Sequence, residues 1–413
     1  MPISYFQCSQ CGQKFEPEKV TYICPTCGGN LDTHFSFEEN PSEIDQAEIL
    51  RKTEKSIWRY AALLPVPDPG FKATPLHQVG FTPIYQPENL RQKLGLRNLF
   101  VKDESGNPSA SFKDRASAIV VSRAIEADIE TIITASTGNA GAAMACMAAS
   151  VGKRAIVLAP RTAPPAKIAQ LLTYGSQVVL IDGSYDDATE LSIAASNEFG
   201  WYNRNTGYNP YTVEGKKTAG LEIWEQFLRF QPADDDLNVF VSVGDGNILS
   251  GIAKGFLDLL AVGWIERLPR LIGVQSEGSA AVYNAFVQNS NHIEPVKADT
   301  VADSISVNLP ADGLRALKRV RESNGFMLSV SDEQILSAIP QLGSAGIFVE
   351  PAAAAAYAGL IRALETKQID PATPALVLAT GSGLKDVKAA MRAVSPAPII
   401  EPNLQKLKEV LGA

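Results

Sequence analysis

The sequence predicts an α/β protein of open, mainly parallel sheets with helices on both faces, preceded by a small cysteine-bearing ribbon. From about Thr131 onward, short β-rich runs alternate with Ala-rich helical runs, the pattern of parallel strands joined by helices. Gly-containing corners follow strand-like runs at Ser136–Ala140, Gly244–Ile248 and Thr380–Asp386. Four of the five cysteines fall within the first 27 residues. At 413 residues, with 45% hydrophobic content and a formal charge of −8, the chain is long enough for two or three domains with substantial cores. Lys and Arg are neither in excess nor gathered in a block, which argues against a nucleic-acid partner. No signal peptide and no run of about 18 apolar residues is visible, so a cytoplasmic protein without membrane contact is expected.

The N-terminal segment carries Cys8-Ser-Gln-Cys11 and Cys24-Pro-Thr-Cys27, two C-x-x-C knuckles twelve residues apart, each followed by Gly (Gly12, Gly28). Thiolates at this spacing converge tetrahedrally on one zinc ion, and small residues allow the tight turns. A disulfide pair is disfavoured in a chain without a secretion signal, and a redox C-x-x-C would need a thioredoxin-like helix that is absent. Four thiolates close the shell, so Cys8, Cys11, Cys24 and Cys27 are expected to bind a structural Zn2+. Cys146 lies in an Ala-rich helical stretch and reads as a small core residue. Next, the polar strip Glu38–Asp45 suggests a boundary. Val101 to Ser109 ends in a Gly/Asn/Pro/Ser cluster, a loop that places Lys113 in the first turn of a helix. An amine partly desolvated there has a lowered pKa and can form an imine with an aldehyde cofactor; a surface lysine opening a helix reads the same way.

Strands are expected at Thr131–Ala135, Arg154–Leu158, Gln177–Ile181, Val239–Val243, Leu271–Gln275 and Ala375–Ala379, with helices between them. The Ser136-Thr137-Gly138-Asn139 corner leaves backbone N–H groups free at a helix start, suited to a carboxylate, although an ordinary capped turn has the same sequence. Gly244-Asp245-Gly246-Asn247-Ile248 can form an anion nest for a phosphate. Arg229–Asn238 suggests a second boundary, and Ala352–Ala356 a tightly packed helix.

Read from Leu99 to Ala116 (LFVKDESGNPSASFKDRA), the lysine segment resembles the pyridoxal-phosphate lysine segment of the threonine synthase and dehydratase family, the fold type II enzymes. Gly80–Tyr85 (GFTPIY), Ser136–Asn139 (STGN) and Thr380–Asp386 (TGSGLKD) resemble further blocks of that family and occur in its order. The resemblance implies a cofactor, pyridoxal 5'-phosphate, between a larger domain and a smaller one inserted into it. The mapping is residues 1–36 for the zinc-ribbon-like segment, 37–129 with 229–413 for the large cofactor-binding domain, and 130–228 for the small substrate-carboxylate domain. It further implies Lys113 as the cofactor lysine and proton carrier, and Asn139 on the cofactor's phenolic oxygen. Ser136, Thr137 and Gly138 would grip the substrate carboxylate, Gly244, Asp245, Gly246, Asn247 and Ile248 the cofactor phosphate, and Thr380 the pyridine nitrogen. A hydroxyl there does not hold a proton as a carboxylate would, which favours elimination and replacement over transamination. Similar short ribbons precede the catalytic body in some threonine synthases.

Asn209–Thr218 (NPYTVEGKKT) resembles the N-P-x-R-x-E-G-x-K-T motif but carries Thr212 where the family has Arg. An Arg fork suits a substrate phosphate, whereas Thr212 offers one hydroxyl. Lys216, Lys217, Arg204 and Arg161 are the cations that could compensate, and Asn209 and Lys216 are the candidate substrate contacts of this segment. Ala302–Pro310 (ADSISVNLP) and Ser382, where many members carry His, depart from the family as well. The resemblance implies conversion of O-phosphohomoserine and water to L-threonine and phosphate, by an enzyme acting on a small amino acid as a homodimer. Thr212 fits better a serine/threonine dehydratase, or a β-replacement synthase acting on an activated serine. A catalytically silent protein that docks a partner through the ribbon is the reading of another class, and the presence of Lys113 argues against it.

Overall fold

The computed structural model describes residues 1–163, 165–231 and 236–412. The strands are β1 (Ile3–Cys8), β2 (Lys14–Phe15), β3 (Leu31–Phe35), β4 (Ile84–Tyr85), β5 (Leu99–Asp103), β6 (Thr131–Ala135), β7 (Arg154–Pro160), β8 (Gln177–Ile181), β9 (Tyr202–Asn203), β10 (Asn238–Ser242), β11 (Arg270–Ser276), β12 (Phe326–Val330) and β13 (Ala375–Ala379). The helices are α1 (Gln46–Arg51), α2 (Glu88–Leu94), α3 (Lys113–Glu126), α4 (Asn139–Ser150), α5 (Pro165–Thr173), α6 (Tyr185–Phe199), α7 (Tyr211–Gln226), α8 (Asn247–Ala261), α9 (Ala281–Val287), α10 (Gly313–Glu322), α11 (Asp332–Gly343), α12 (Pro351–Glu365), α13 (Val387–Arg392) and α14 (Leu404–Leu411).

Three sheets organise them. β2-β1-β3 is a small antiparallel sheet under the cysteine knuckles. A six-stranded sheet runs β12-β11-β10-β13-β5-β4, parallel except where β4 closes the edge against β5. A four-stranded sheet, β8-β7-β6-β9, is parallel throughout. Every residue of β6, β10 and β13 is buried, as expected of parallel strands covered on both faces. Ala352–Ala356 are likewise buried in α12, whose small side chains let it lie close to the sheet.

The expected strands at Thr131–Ala135, Gln177–Ile181 and Ala375–Ala379 coincide with β6, β8 and β13, and the other three are displaced or extended by one or two residues. Lys113 opens α3, as expected. Residues 232–235 of the expected boundary at Arg229–Asn238 lie outside the described residues. The four-stranded sheet falls within the span 130–228, but α7, at the end of that span, packs on the larger body. Ala219, Leu221, Ile223 and Trp224 join the core of the six-stranded sheet. A Cβ on Gly215 would lie 2.1 Å from the Arg115 carbonyl oxygen, and one on Gly255 2.3 Å from that of Lys217, so α7 meets α3 and α8 backbone to backbone.

A charge cluster without water access locks this junction. Arg115 of α3 bridges Glu104 after β5 and Glu222 of α7, and Lys102 of β5 reaches Glu222 at 2.8 Å. Glu222 also accepts the N–H groups of Phe81 and Thr82 from the GFTPIY segment. Arg115, two residues after Lys113, is thus fixed, which sets the direction in which Lys113 leaves the helix start.

Candidate active site

A cleft opens where the ends of β5, β6, β10 and β13 release their chains into the Gly-containing corners. Its walls bring together Lys113, Asn139, the Gly244–Ile248 loop, Ser304, Glu350 and Thr380. The N–H of Phe112, just before Lys113, donates to the Thr380 carbonyl at 2.8 Å, and Ser111 bridges Gly381. The lysine and the Thr380 corner, far apart in sequence, are therefore held as one unit.

Burial lowers the Lys113 amine from its ordinary value, and Arg204 adds to this while Asp245 and Glu350 oppose it. Its Nζ has no hydrogen-bond or ion-pair partner among the described residues. An unengaged amine at the foot of a cleft, its pKa lowered by burial, is suited to condensing with an aldehyde. The Asp245 carboxyl is raised by burial against the opposing effect of Lys113.

At the opposite wall Asn139, first residue of α4, donates through Nδ2 to Glu350 Oε1 at 2.8 Å, and Ser304 Oγ donates to Glu350 Oε2 at 3.3 Å. Burial raises the Glu350 carboxyl, partly offset by the Asn139 bond and by Lys385 and Lys113. Glu350 and Ser304 were not among the residues expected from the sequence. The usable signal for Glu350 is a Glu-Pro pair ahead of the alanine run, since Glu350 is the N-cap of α12. Thr137 and Gly138 line an adjoining hollow with Asn139, Lys167, Ser304 and Lys385, at the start of α4 where backbone N–H groups are free. Ser136 does not line either space; its carbonyl oxygen would lie 1.8 Å from a Cβ on Gly141, so it shapes the turn.

The Gly244–Ile248 corner opens α8. Gly246 has φ +91° and a Cβ there would lie 2.8 Å from the Asp312 carbonyl oxygen, so the loop requires glycine. The backbone N–H groups of a fifteen-residue helix then face the cleft, a donor set that fits a phosphate. An amine, an amide, a hydroxyl and an anion nest around one cleft match the functional groups of pyridoxal phosphate.

Of the residues expected to contact substrate, Asn209 is buried with both side-chain ends engaged: Nδ2 donates to the Asn203 carbonyl at 2.7 Å and Oδ1 accepts from Tyr211 N–H at 2.9 Å. It holds the N–H of the first residue of α7 from just ahead of the helix and lies outside the cleft lining. Thr212 Oγ1 donates to the Asn209 carbonyl at 2.7 Å and lies 3.2 Å from Asn247 Oδ1, which Lys216 Nζ also reaches. Arg161 is exposed beside Asp182, and Lys217 is paired with Glu214 and Asp258. Neither is available to the cleft.

At the N-terminus the four cysteine Sγ atoms lie within 4.8 Å of one another, with Cys8–Cys27 at 3.4 Å and Cys11–Cys24 at 3.7 Å. A zinc tetrathiolate with bonds near 2.3 Å has edges of about 3.8 Å, so the donors fit that ion. Gly12 and Gly28, both at positive φ, return N–H bonds to the Cys8 and Cys24 carbonyls at 3.0 and 2.8 Å. The ribbon is tied to the body: Asp32 pairs with Arg315 and Arg319, Arg315 with Asp312, and Asp312 Oδ2 accepts from Asn247 Nδ2 at 2.7 Å.

The family model described as pyridoxal-phosphate dependent enzyme matches residues 76–381, which takes in Lys113, Asn139, Gly244–Ile248, Ser304, Glu350 and Thr380. The chain belongs to the pyridoxal-phosphate dependent enzymes. Pyridoxal phosphate is therefore the cofactor of this chain. The curated threonine synthase of Methanocaldococcus jannaschii is 38% identical over 408 residues, 98% of both chains, and that of Methanosarcina acetivorans is 35% identical over 412 residues, again 98% of both. Solved members of the same fold include the processed threonine deaminase isoform 2 of Solanum lycopersicum, with a TM-score of 0.65, 23% identity and 89% of each chain covered. An O-ureido-L-serine synthase has a TM-score of 0.64 and 20% identity over 79% of this chain and 96% of its own. No helix among the described residues is long and apolar enough to cross a membrane.

Proposed function

We propose that this chain is a threonine synthase, converting O-phosphohomoserine and water to L-threonine and phosphate by loss of the γ-phosphate and addition of water at Cβ. The observation that carries this is likeness to curated threonine synthases over 98% of both chains, cysteine ribbon included. Pyridoxal phosphate, when bound, supplies an electron sink for charge developing at the substrate Cα. In the proposed reaction Lys113 Nζ, its pKa lowered by burial, removes the proton at Cα and then moves protons at Cβ. Asn139 orients the ring through its phenolic oxygen and Thr380 through its pyridine nitrogen. The loop from Gly244 to Ile248 holds the cofactor phosphate, and Thr137 with Gly138 binds the substrate carboxylate. Asn209 acts by positioning α7.

The cysteine tetrad is proposed to hold a structural zinc ion, supported by the spacing of its sulfur atoms. A cytoplasmic homodimer is the proposed form; the exposed apolar side chains Met391, Leu404, Leu407, Val410 and Leu411 support burial against a second copy. Thr212 favours a second reading, a dehydratase or β-replacement enzyme that needs no seat for a distal phosphate. The test is product analysis on protein loaded with pyridoxal phosphate and given O-phosphohomoserine, with L-serine, L-threonine and O-phosphoserine in parallel. Threonine with equimolar phosphate is expected. Inertness toward O-phosphohomoserine with turnover of a three-carbon substrate or of threonine would refute it.

A further inference from the structure

A buried cation without a counter-charge is costly, and this chain avoids that state almost throughout. Arg59, Lys102, Arg115, Lys217, Lys254 and Arg315 are buried and each ion-pairs with a carboxylate. Lys216 and Arg204 are buried too, yet among the described residues neither has a carboxylate partner. Lys216 Nζ donates to the neutral amide oxygen of Asn247. Arg204 donates from Nε to Ser117 Oγ at 3.1 Å and from Nη1 to Thr206 Oγ1 at 2.8 Å, while its buried Nη2 has no partner.

Both cations stand directly behind the wall of the same cleft, each bonded to a wall residue, Lys216 to Asn247 and Arg204 to Thr206. They also act on each other and on Lys113: the Lys216 ammonium is lowered by burial, then by Lys113 and Arg204, and burial brings Arg204 down to about 10. The nearby carboxylate of Asp312 is occupied by Arg315 and Asn247. Lys216 lies one helical turn after Thr212 on α7, and donates to the same Asn247 oxygen that the Thr212 hydroxyl lies against. Asp245 acts on both cations but makes no ion pair with either, so the cluster lacks a paired anion, and a phosphate monoester supplies the charge and acceptor oxygens to complete it.

We propose that Lys216 and Arg204, with the Thr212 hydroxyl, seat the distal phosphate of the substrate, leaving the cofactor phosphate to the backbone N–H groups of Gly244–Ile248. The assignment of that phosphate to substrate rests on the threonine synthase reading. A cation missing from position 212 is thus supplied by the next turn of the same helix and by the strand-end Arg204.

The test uses protein loaded with pyridoxal phosphate. Inorganic phosphate, against chloride at matched ionic strength, is expected to raise the melting temperature of the wild type and to compete with O-phosphohomoserine. Lys216→Met should lose that thermal shift and raise KM for O-phosphohomoserine by ~10-fold or more, with a smaller effect on kcat, as loss of a charge-assisted bond requires. Its cofactor affinity, read from the visible absorbance band, should stay near wild type, and Lys216→Arg should recover part of the KM. In phosphate-free buffer Lys216→Met should be at least as stable as wild type, an outcome that a merely structural lysine would not give. Arg204→Gln should repeat the loss of the phosphate shift. Equal weakening of cofactor and substrate would assign the cations to the cofactor phosphate and overturn the proposal. So would a wild type insensitive to phosphate, or a phosphate shift that survives Lys216→Met. If the wild type makes no threonine but phosphate still stabilises it through Lys216, the reaction assignment fails and the anion seat stands.

Discussion

Glu222→Gln removes one charge from a cluster that water does not reach. The Glu222 carboxylate accepts from Arg115 at 2.5 and 2.7 Å, from Lys102 at 2.8 Å, and from the N–H groups of Phe81 and Thr82 at 2.8 and 3.2 Å. An amide in its place turns an NH2 toward one of these donors and leaves the Arg115–Lys102–Glu104 group with a net positive charge. Breaking a buried pair in this way costs about 3–5 kcal/mol. Unfolding entropy near 2.1 cal/mol/K per residue gives about 0.9 kcal/mol/K for 413 residues, so the melting temperature should fall by about 3–6 °C. Burial alone would raise the Glu222 pKa, but Arg115 and then Lys102 overrule it and bring it to about 2. A carboxyl lowered in the folded state contributes fully above its ordinary range near 4.5 and loses that contribution as pH falls through its folded value. The gap between wild type and variant should therefore be constant above about pH 5 and narrow between there and about pH 2. Scanning calorimetry across pH measures it, with fluorescence of the adjacent Trp224 as a second probe. A fall below about 1 °C, or narrowing that begins near neutrality, would refute the reasoning.

Other outcomes follow from the same geometry. Lys113→Ala should abolish both the visible cofactor band and threonine formation; in the wild type, cofactor capture should inflect below the ordinary lysine value of 10.5, because burial favours the neutral amine. Gly215→Ala drives a methyl onto the Arg115 carbonyl, where only backbone can yield, and should destabilise by about 3 kcal/mol or more in chemical denaturation while reducing cofactor occupancy. Elemental analysis should find one zinc per wild-type chain and none in a Cys11→Ser, Cys24→Ser double variant, whose ribbon should become the first site cut by protease.

What could be read from the sequence was local. The knuckles, their glycines and the opening of α3 at Lys113 each follow from neighbours within a few residues, and strands β6, β8 and β13 from apolar runs bounded by turns. Strand β5 was hidden because its run ends in Lys102 and Asp103, and the buried Lys102 is made tolerable by Glu222, which is distant in sequence. Strand β9 has two residues and no period to detect. α7 was assigned to the small domain by its place in the chain, whereas Gly215 and Gly220 fit it against α3 and α8. In the cleft, Lys113, Asn139, Thr380 and the Gly244 loop carried motif signals. Glu350 and Ser304 did not, since their roles exist only once the α12 start is folded over Asn139. The separate fates of Lys216, Lys217, Arg204 and Arg161 likewise depended on which carboxylates lay near in space.

The ribbon's moorings bear on the order in which the molecule is assembled. Its residues emerge first during synthesis, yet Asn30 bonds the Ala311 carbonyl 281 positions later, and Asp32 receives Arg319 across 287. Docking must therefore wait until α10 has left the ribosome, although the knuckles can take up their ion long before, being closed within 20 residues or so. Because Arg315 and Asp312 pass from that dock to Asn247, the cleft's anion wall is completed at the same late moment. A chain ending before α10 would carry a folded ribbon, an intact Lys113 and no finished pocket, so a nascent or truncated copy is kept from acting on substrate.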